Sequence, residues 1–259
     1  MRFKITMEAS EQGSAIPINY QYPLSAAVYK IIAKGNDKYA TFLHEEGYGR
    51  GFKFFTFSQV NVPFKIKGDR LRLIKPEMWF EMAFHIPEAM ESFIRGLFQA
   101  ERIDIADHRS KSSFTIKAVE TLPNPLHAYK ENEIVSKELR PLSPIVAGIP
   151  NQKGYDDYLK PDDPLFVENL IYNWRSKISD CYDKVSGVEA LLMVEVLPMM
   201  QPFKSRLLTI KDGTPAKTKI RGWMNLGLKV TGEKRFVELL LNAGAGLYNA
   251  QGCGCVSVV

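Results

Sequence analysis

The sequence predicts an α+β protein made of two tandem ferredoxin-like domains, each a βαββαβ unit. Three observations predict it. Residues 1–122 carry strand and helix patterns in the order strand, helix, strands, helix, strands, which is the split βαβ arrangement. Residues 123–259 repeat that order. A proline-rich stretch, Leu122-Pro-Asn-Pro-Leu126, stands between the halves and marks a boundary. The repeat rests on element order, because the halves share no visible sequence similarity. A sheet with helices on one face buries the apolar side of both layers.

Taken in order, Arg2 to Glu8 alternates as a strand does. Pro23 to Lys34 is predicted helical, with Leu24, Val28, Ile31 and Ile32 on one face and Pro23 in the first turn. Asp37 to His44 is a second short helix, and Gly47, Gly49 and Gly51 make a flexible turn. Aromatic-rich Phe52 to Val60 reads as a strand, as do Arg70 to Ile74 and Met78 to Phe84. Pro87 to Gln99 has helical spacing through Ala89, Phe93, Ile94 and Leu97. Ile103 to Ile105 and Phe114 to Val119 close the first half as strands. In the second half, Ile134 to Leu139 is a strand and Pro144 to Tyr158 a loop. Asp163 to Ile178 is a helix, and Leu191 to Val196 and Leu207 to Lys211 are strands. A basic connection follows, then a helix from Lys234 to Asn242 and a last strand from Cys253 to Val258.

Composition bounds the function. The chain of 259 residues is 45% hydrophobic and 24% charged, as soluble globular proteins are. Its net charge of +5 and pI near 8.9 fit a polyanionic partner without demanding one. Three cysteines, Cys181, Cys253 and Cys255, are too few and too oddly spaced for a disulfide framework or a zinc knuckle. The start, Met1-Arg-Phe-Lys-Ile-Thr-Met, has no uninterrupted apolar core of a signal peptide. The most apolar run, Ala190-Leu-Leu-Met-Val, is broken by Glu195 and too short to span a bilayer. A cytoplasmic protein without membrane contact is expected. His85, His108 and His127 lack partners at metal-ligand spacing, so neither a metal nor another cofactor is expected.

The C-terminal run Gly244-Ala-Gly246-Leu-Tyr-Asn-Ala-Gln-Gly252-Cys-Gly254-Cys-Val carries the strongest local signal. Gly244, Gly246, Gly252 and Gly254 let the backbone adopt positive φ and approach a partner closely, and exposed N–H groups there would cradle phosphates. Neither a Walker lysine nor a dinucleotide fingerprint accompanies them. This loop resembles that of the RAMP proteins, specifically the endoribonucleases that process precursor CRISPR RNA. The second glycine pair of that family usually encloses an aromatic residue, where this chain has Cys253; the first encloses Ala245. Met1-Arg-Phe, the helix from Leu24 to Lys34, Tyr39-Ala-Thr-Phe-Leu-His44-Glu and Phe52-Lys53-Phe-Phe-Thr-Phe-Ser58 look like the family's first domain. The resemblance implies two tandem ferredoxin-like domains, with the catalytic site on 1–122 and the glycine-rich loop on 123–259. It implies that His44 is the principal catalytic residue, that Tyr29 and Lys53 complete the site, and that the products are a 5′-hydroxyl and a 2′,3′-cyclic phosphate. The implied partners are CRISPR repeat RNA and effector subunits, with the protein a monomer or homodimer.

The chemistry needs these residue types. RNA supplies its own nucleophile, the 2′-hydroxyl, so an enzyme has only to move two protons and neutralise the phosphorane. His44 can exchange a proton near pH 7, Lys53 can balance the growing charge, and Tyr29 can orient or donate. Alternation places Lys53 on the opposite strand face from Phe52 and Phe54. Arg50 is an equal candidate for phosphate contact. Basic residues then gather between positions 204 and 235, among them Lys204, Arg206, Lys217, Lys219 and Arg221, against only Asp212 and Glu233. Such a segment would bind RNA phosphates.

Two other readings stay open. The chain could be a RAMP-type subunit that holds guide RNA without cutting it. Alternatively, Arg50-Gly-Phe-Lys-Phe-Phe-Thr-Phe57 partly matches the aromatic strand of RNA-recognition (RRM-like) modules, in which case Phe52 and Phe54 stack bases and His44 is incidental.

Overall fold

The computed structural model describes residues 1–100, 102–152, 154–198 and 201–259. Its first half is organised by one antiparallel sheet. β1 (Arg2–Ala9) lies at the centre, flanked by β6 (Glu77–Phe84) and β8 (Lys111–Leu122). β3 (Phe55–Phe57) extends the β6 edge and β7 (Ile103–Ala106) the β8 edge, giving the order β3-β6-β1-β8-β7. With α1 (Gln21–Gly35) before β3 and α3 (Pro87–Gln99) before β8, this is the ferredoxin-like order. The second half builds the same order again. β9 (Ile134–Pro141) lies between β15 (Gly227–Glu233) and β16 (Val256–Val258), and β12 (Met193–Leu197) pairs on β15. α4 (Pro164–Cys181) precedes β12, and α6 (Lys234–Ala243) precedes β16. Both halves also insert a hairpin between the second and third strands of the repeat. These are β4 (Phe64–Lys67) with β5 (Arg70–Leu73), and β13 (Ser205–Ile210) with β14 (Thr218–Trp223).

Several expectations are corrected. The strand predicted over Phe52 to Val60 shrinks to Phe55–Phe57. Phe54 has φ +50°, which breaks the ladder before it starts. The alternation argument that put Lys53 on the far sheet face therefore has no strand to act on. The "basic connection" after Lys211 holds two strands, β14 and the sheet-central β15. In β15 the inward Leu228 and Val230 are few, and glycines bracket them, so the alternation is short. The loop at 144–158 contains a small hairpin, β10 (Gly148–Pro150) with β11 (Asp156–Tyr158). β2 (Ala15–Pro17) and α5 (Lys184–Glu189) were also missed. Among the described residues no helix is long and apolar enough to cross a membrane.

Local chemistry sets the helices. Asn36 caps α2 (Asp37–Glu45), its side chain accepting from the Tyr39 N–H at 3.1 Å. Asp163 caps α4 in the same way at Leu165, with Pro164 in the first turn. α1 buries Leu24, Val28, Ile31 and Ile32 on the first sheet beside Phe93 and Leu97 of α3. These two helices approach closely because of Gly35 and Gly96. A Cβ on Gly96 would sit 1.8 Å from the Ile31 carbonyl oxygen, and one on Gly35 would sit 1.9 Å from that of Ser92.

The two halves interlock. Phe54 leaves the first half and packs in the second core with Leu126, Phe166, Trp174 and Phe236. In return Ala250, from the C-terminal loop, packs against the first core. Arg2, 8% exposed, donates from β1 to the carbonyls of Leu241 and Val256. Gly96→Ala should separate α1 from α3 and cost about 1–3 kcal/mol through overpacking. A urea midpoint measured against the native chain checks this.

Candidate active site

The capped α2 ends at an exposed His44, beside the turn through residues 47–54. Tyr29 projects from the third turn of α1. Its ring meets that of His44 edge-on, with centroids 5.4 Å apart and planes at 84°. Phe55 supports Tyr29 from the sheet at 5.6 Å. The turn then brings Lys53 back, so that its Nζ donates to the His44 carbonyl oxygen at 3.3 Å. The structure thus brings together the three residues singled out in the sequence. Burial pushes the Tyr29 phenol up, so it keeps its proton and can only donate or orient near neutrality. Burial draws the Lys53 ammonium down from the usual lysine range. Both line a cleft of about 580 Å³ whose opposite wall is α4 and the C-terminal loop, from Gly246 to Gln251.

The C-terminal loop is held in place from below. All four glycines have positive φ, between 68° and 89°. A Cβ on Gly254 would lie 2.0 Å from the Ala245 carbonyl oxygen, so the loop packs against itself at a distance only glycine allows. Lys177 of α4, 1% exposed, reaches into the loop. Its Nζ donates to the carbonyls of Gly244 at 2.6 Å and Gly246 at 3.1 Å, and to Asn249 Oδ1 at 2.7 Å. Burial pushes Lys177 down to about 7, against the pull of those three oxygens toward the charged form. The Asn249 amide then donates to Cys253 O at 3.1 Å. Thr56 donates to the same oxygen at 2.8 Å, and Ser25 to Ala250 O at 2.7 Å, tying the loop to the first half.

This geometry corrects the reading of the glycines as a phosphate cradle. The N–H groups of Gly244, Gly252 and Gly254 donate to the carbonyls of Leu240, Asn249 and Pro144. Those three glycines build the loop and do not offer donors. Gly246 alone of the four lines the cleft.

The predicted basic contacts divide likewise. Arg50 is turned onto α4: its N–H donates to Asp180 Oδ2 at 2.7 Å and its guanidinium to Ser176 Oγ. Arg206 packs over the Tyr20 ring and donates to Ile18 O at 3.3 Å. Lys217 pairs with Asp212 at 2.7 Å. Lys204, Lys219 and Arg221 are exposed on or beside the β13–β14 hairpin, where Arg221 faces Leu207 across the pair. None of these six lines the cleft, whereas Lys211, at the end of the hairpin's first strand, does. The RNA-recognition reading is corrected for one of its two aromatics, Phe54. Phe54 is 2% exposed in a core, while Phe52 is half-buried at the cleft wall. Sequence reasoning missed Lys177. Its signal was a polar stripe on α4, Asn173, Ser176, Lys177 and Asp180, at the i, i+3, i+4, i+7 spacing of one helix face. Among the described residues no group of three His, Cys, Asp or Glu side chains could hold a metal ion.

Two ferredoxin-like units closing on one cleft is an architecture shared with RAMP proteins. One solved structure, of a RAMP protein described as binding different RNA substrates, superposes with a TM-score of 0.76 at 18% identity, covering 100% of this chain and 99% of that one. The structure of a Cas6-related gene product from Pyrococcus furiosus gives 0.80 at 19% identity, over 100% and 98% of the two chains. Residues 127–258 match the family described as CRISPR associated protein Cas6, C-terminal, and residues 15–120 match the one described as CRISPR-associated protein Cas6, N-terminal. The chain belongs to the Cas6 family. A curated relative, CRISPR-associated endoribonuclease Cas6 1 of Methanocaldococcus jannaschii, is 26% identical over 260 residues, spanning 99% of this chain and 92% of the relative.

Replacing Lys177 by Met keeps the bulk but leaves the Gly244 and Gly246 carbonyls and the Asn249 amide oxygen without their donor. The loss should be about 1–3 kcal/mol or more, as for buried polar groups left unsatisfied. Chemical denaturation reads the stability, and proteolysis at the C-terminal loop reads the local loosening.

Proposed function

We propose that this chain is a metal-independent endoribonuclease that cuts precursor CRISPR RNA within its repeats and so matures guide RNAs. The observation that carries the reading is the convergence of Tyr29, His44 and Lys53 on one cleft, in a chain of the Cas6 family. The 2′-oxygen attacks the adjacent phosphorus, a 2′-O–P bond forms and the P–O5′ bond breaks. The 2′-hydroxyl proton leaves and the 5′-oxygen gains one, giving 2′,3′-cyclic phosphate and 5′-hydroxyl ends. His44 carries one of those transfers, since its imidazole lies exposed at the cleft. Lys53 balances charge on the phosphorane. Tyr29 fixes the His44 ring through their edge-on contact and can donate from its phenol. The division into 1–122, bearing the catalytic side chains, and 123–259, bearing the loop, belongs to the same proposal. So do a cytoplasmic setting and hand-over of the product to effector subunits.

Labelled repeat RNA incubated in EDTA tests this. Native protein should cut, a 2′-deoxy nucleotide at the cut site should block cutting, and His44→Ala should slow it by about 10²–10⁴-fold while binding persists. Tight binding by native protein with no cutting would favour the guide-holding RAMP subunit and overturn the enzyme.

The pH profile gives a second test. Lys53 loses its proton at lower pH than an ordinary lysine, so its positive charge is present below that lowered value and lost as pH rises through it. The alkaline fall in cleavage rate should therefore begin below lysine's usual value of about 10.4, and Lys53→Arg should move it upward.

A further inference from the structure

Three features of the cleft are unused by the reaction above. Among the described residues, the non-glycine positions with positive φ are Phe54, Lys211 and Tyr248, and all three line this one cleft. Such backbone conformations cost energy and persist where the surroundings impose them. Next, Asn173 is only 6% exposed and lines the same cleft, yet its Oδ1 is buried without a protein partner. A buried amide oxygen left unsatisfied is a cost that stability alone would remove. Finally, Asn173 stands one helical turn before Lys177 on the α4 face that meets the 47–54 turn, where Arg50 already bonds Ser176 and Asp180. Lys177 Nζ in turn lies 5.8 Å from the Phe52 ring centroid, which places that half-buried aromatic against the same helix face.

We propose that Asn173 and Phe52 form a base-reading pocket beside the scissile phosphate, which accepts one unpaired nucleobase of the repeat. The Phe52 ring supplies a stacking surface, as aromatic side chains do for splayed-out RNA bases. Turned into the cleft, the Asn173 amide would set one donor and one acceptor against the edge of that base, and a base that leaves either unmatched is disfavoured. Lys211, held in the left-handed region at the cleft's rim, meets the phosphate of the same nucleotide. The pocket turns a general RNA cleft into one that chooses its cut site. The proposal rests on the endoribonuclease reading for the location of the scissile phosphate.

The test uses the full chain in two arms. In the first, native protein and Asn173→Ala cut a panel of repeat RNAs, each with all four bases in turn at every unpaired position within three nucleotides of the cut. One position should show at least a tenfold spread in native rates, falling below threefold in Asn173→Ala. In the second arm, His44→Ala and the double variant bind the same panel, so discrimination is read even where nothing is cut. Failure to cut then counts against the enzyme, and failure to discriminate in binding counts against the pocket. Asn173→Asp, nearly isosteric, should shift the preferred base, because it replaces the donor by a second acceptor. Thermal melting guards the interpretation: Asn173→Ala should melt at or above the native temperature, since it removes an unsatisfied buried amide oxygen. A lowered melting point with unchanged base discrimination would make Asn173 a structural residue and overturn the proposal.

Discussion

The buried amino group of Lys177 is the contact on which the arrangement of this molecule depends. One atom on α4 gathers two backbone carbonyls and one side-chain amide of a loop whose regular structure is a single 3₁₀ turn, Asn249–Gln251. A chain segment with four positive-φ glycines has wide conformational freedom when unfolded and would not order itself. The lysine removes that freedom at a point where water is excluded, which is where its hydrogen bonds are strongest. Because Thr56 and Ser25 of the first half also bond the loop, fixing it fixes the relation of the two halves. The cleft is the space left between them.

The rest of the site follows from exchange across this junction. The first half sends the turn carrying Phe52 and Phe54 into the second half, and the second returns Ala250 to the first. Phe54 adopts positive φ to do so, and the strand begins only at Phe55. That short irregular turn is what lets Lys53 double back onto the end of α2, within reach of the His44 carbonyl. A longer strand, as the aromatic pattern alone suggests, would have carried Lys53 away from His44. The polar groups of the site thus sit on a turn, at the end of α2 and along α1 and α4, positioned by two rigid sheets behind them.

Much of this was legible before any coordinates. The helices α1, α2, α3 and α4 follow from apolar spacing with proline or Asx residues at their starts, and α6 from apolar spacing alone. His44, Tyr29 and Lys53 could be named because resemblance pointed to them, though only the fold shows the ring contact that joins two of them. Strands fared worse. β15 lies at the centre of its sheet, yet Lys229 and Thr231 alternate with only Leu228 and Val230, and Lys229 is balanced by Glu138 and Glu195 across the pairs. Charge that looked free for RNA is partly spent inside the protein: Lys234 meets Glu131 and Glu238, each at 2.6 Å. Sequence shows how many charges a segment has and not which already have partners. The glycines misled for a related reason. Their pattern marks close backbone approach, and here the thing approached is the chain itself.

The central claim is that RNA runs through the cleft beneath the C-terminal loop, past Tyr29 and His44. Photo-crosslinking of an uncleavable repeat RNA, 2′-deoxy at the cut site with 4-thiouridine beside it, tests that claim most directly when the adducts are mapped by mass spectrometry. The account predicts adducts on cleft residues such as Tyr29, Phe52 and Tyr248. Adducts confined to the outer face of the first sheet, around Trp79 and the Lys4 that lies over its ring, would contradict it and place the RNA on the sheet instead.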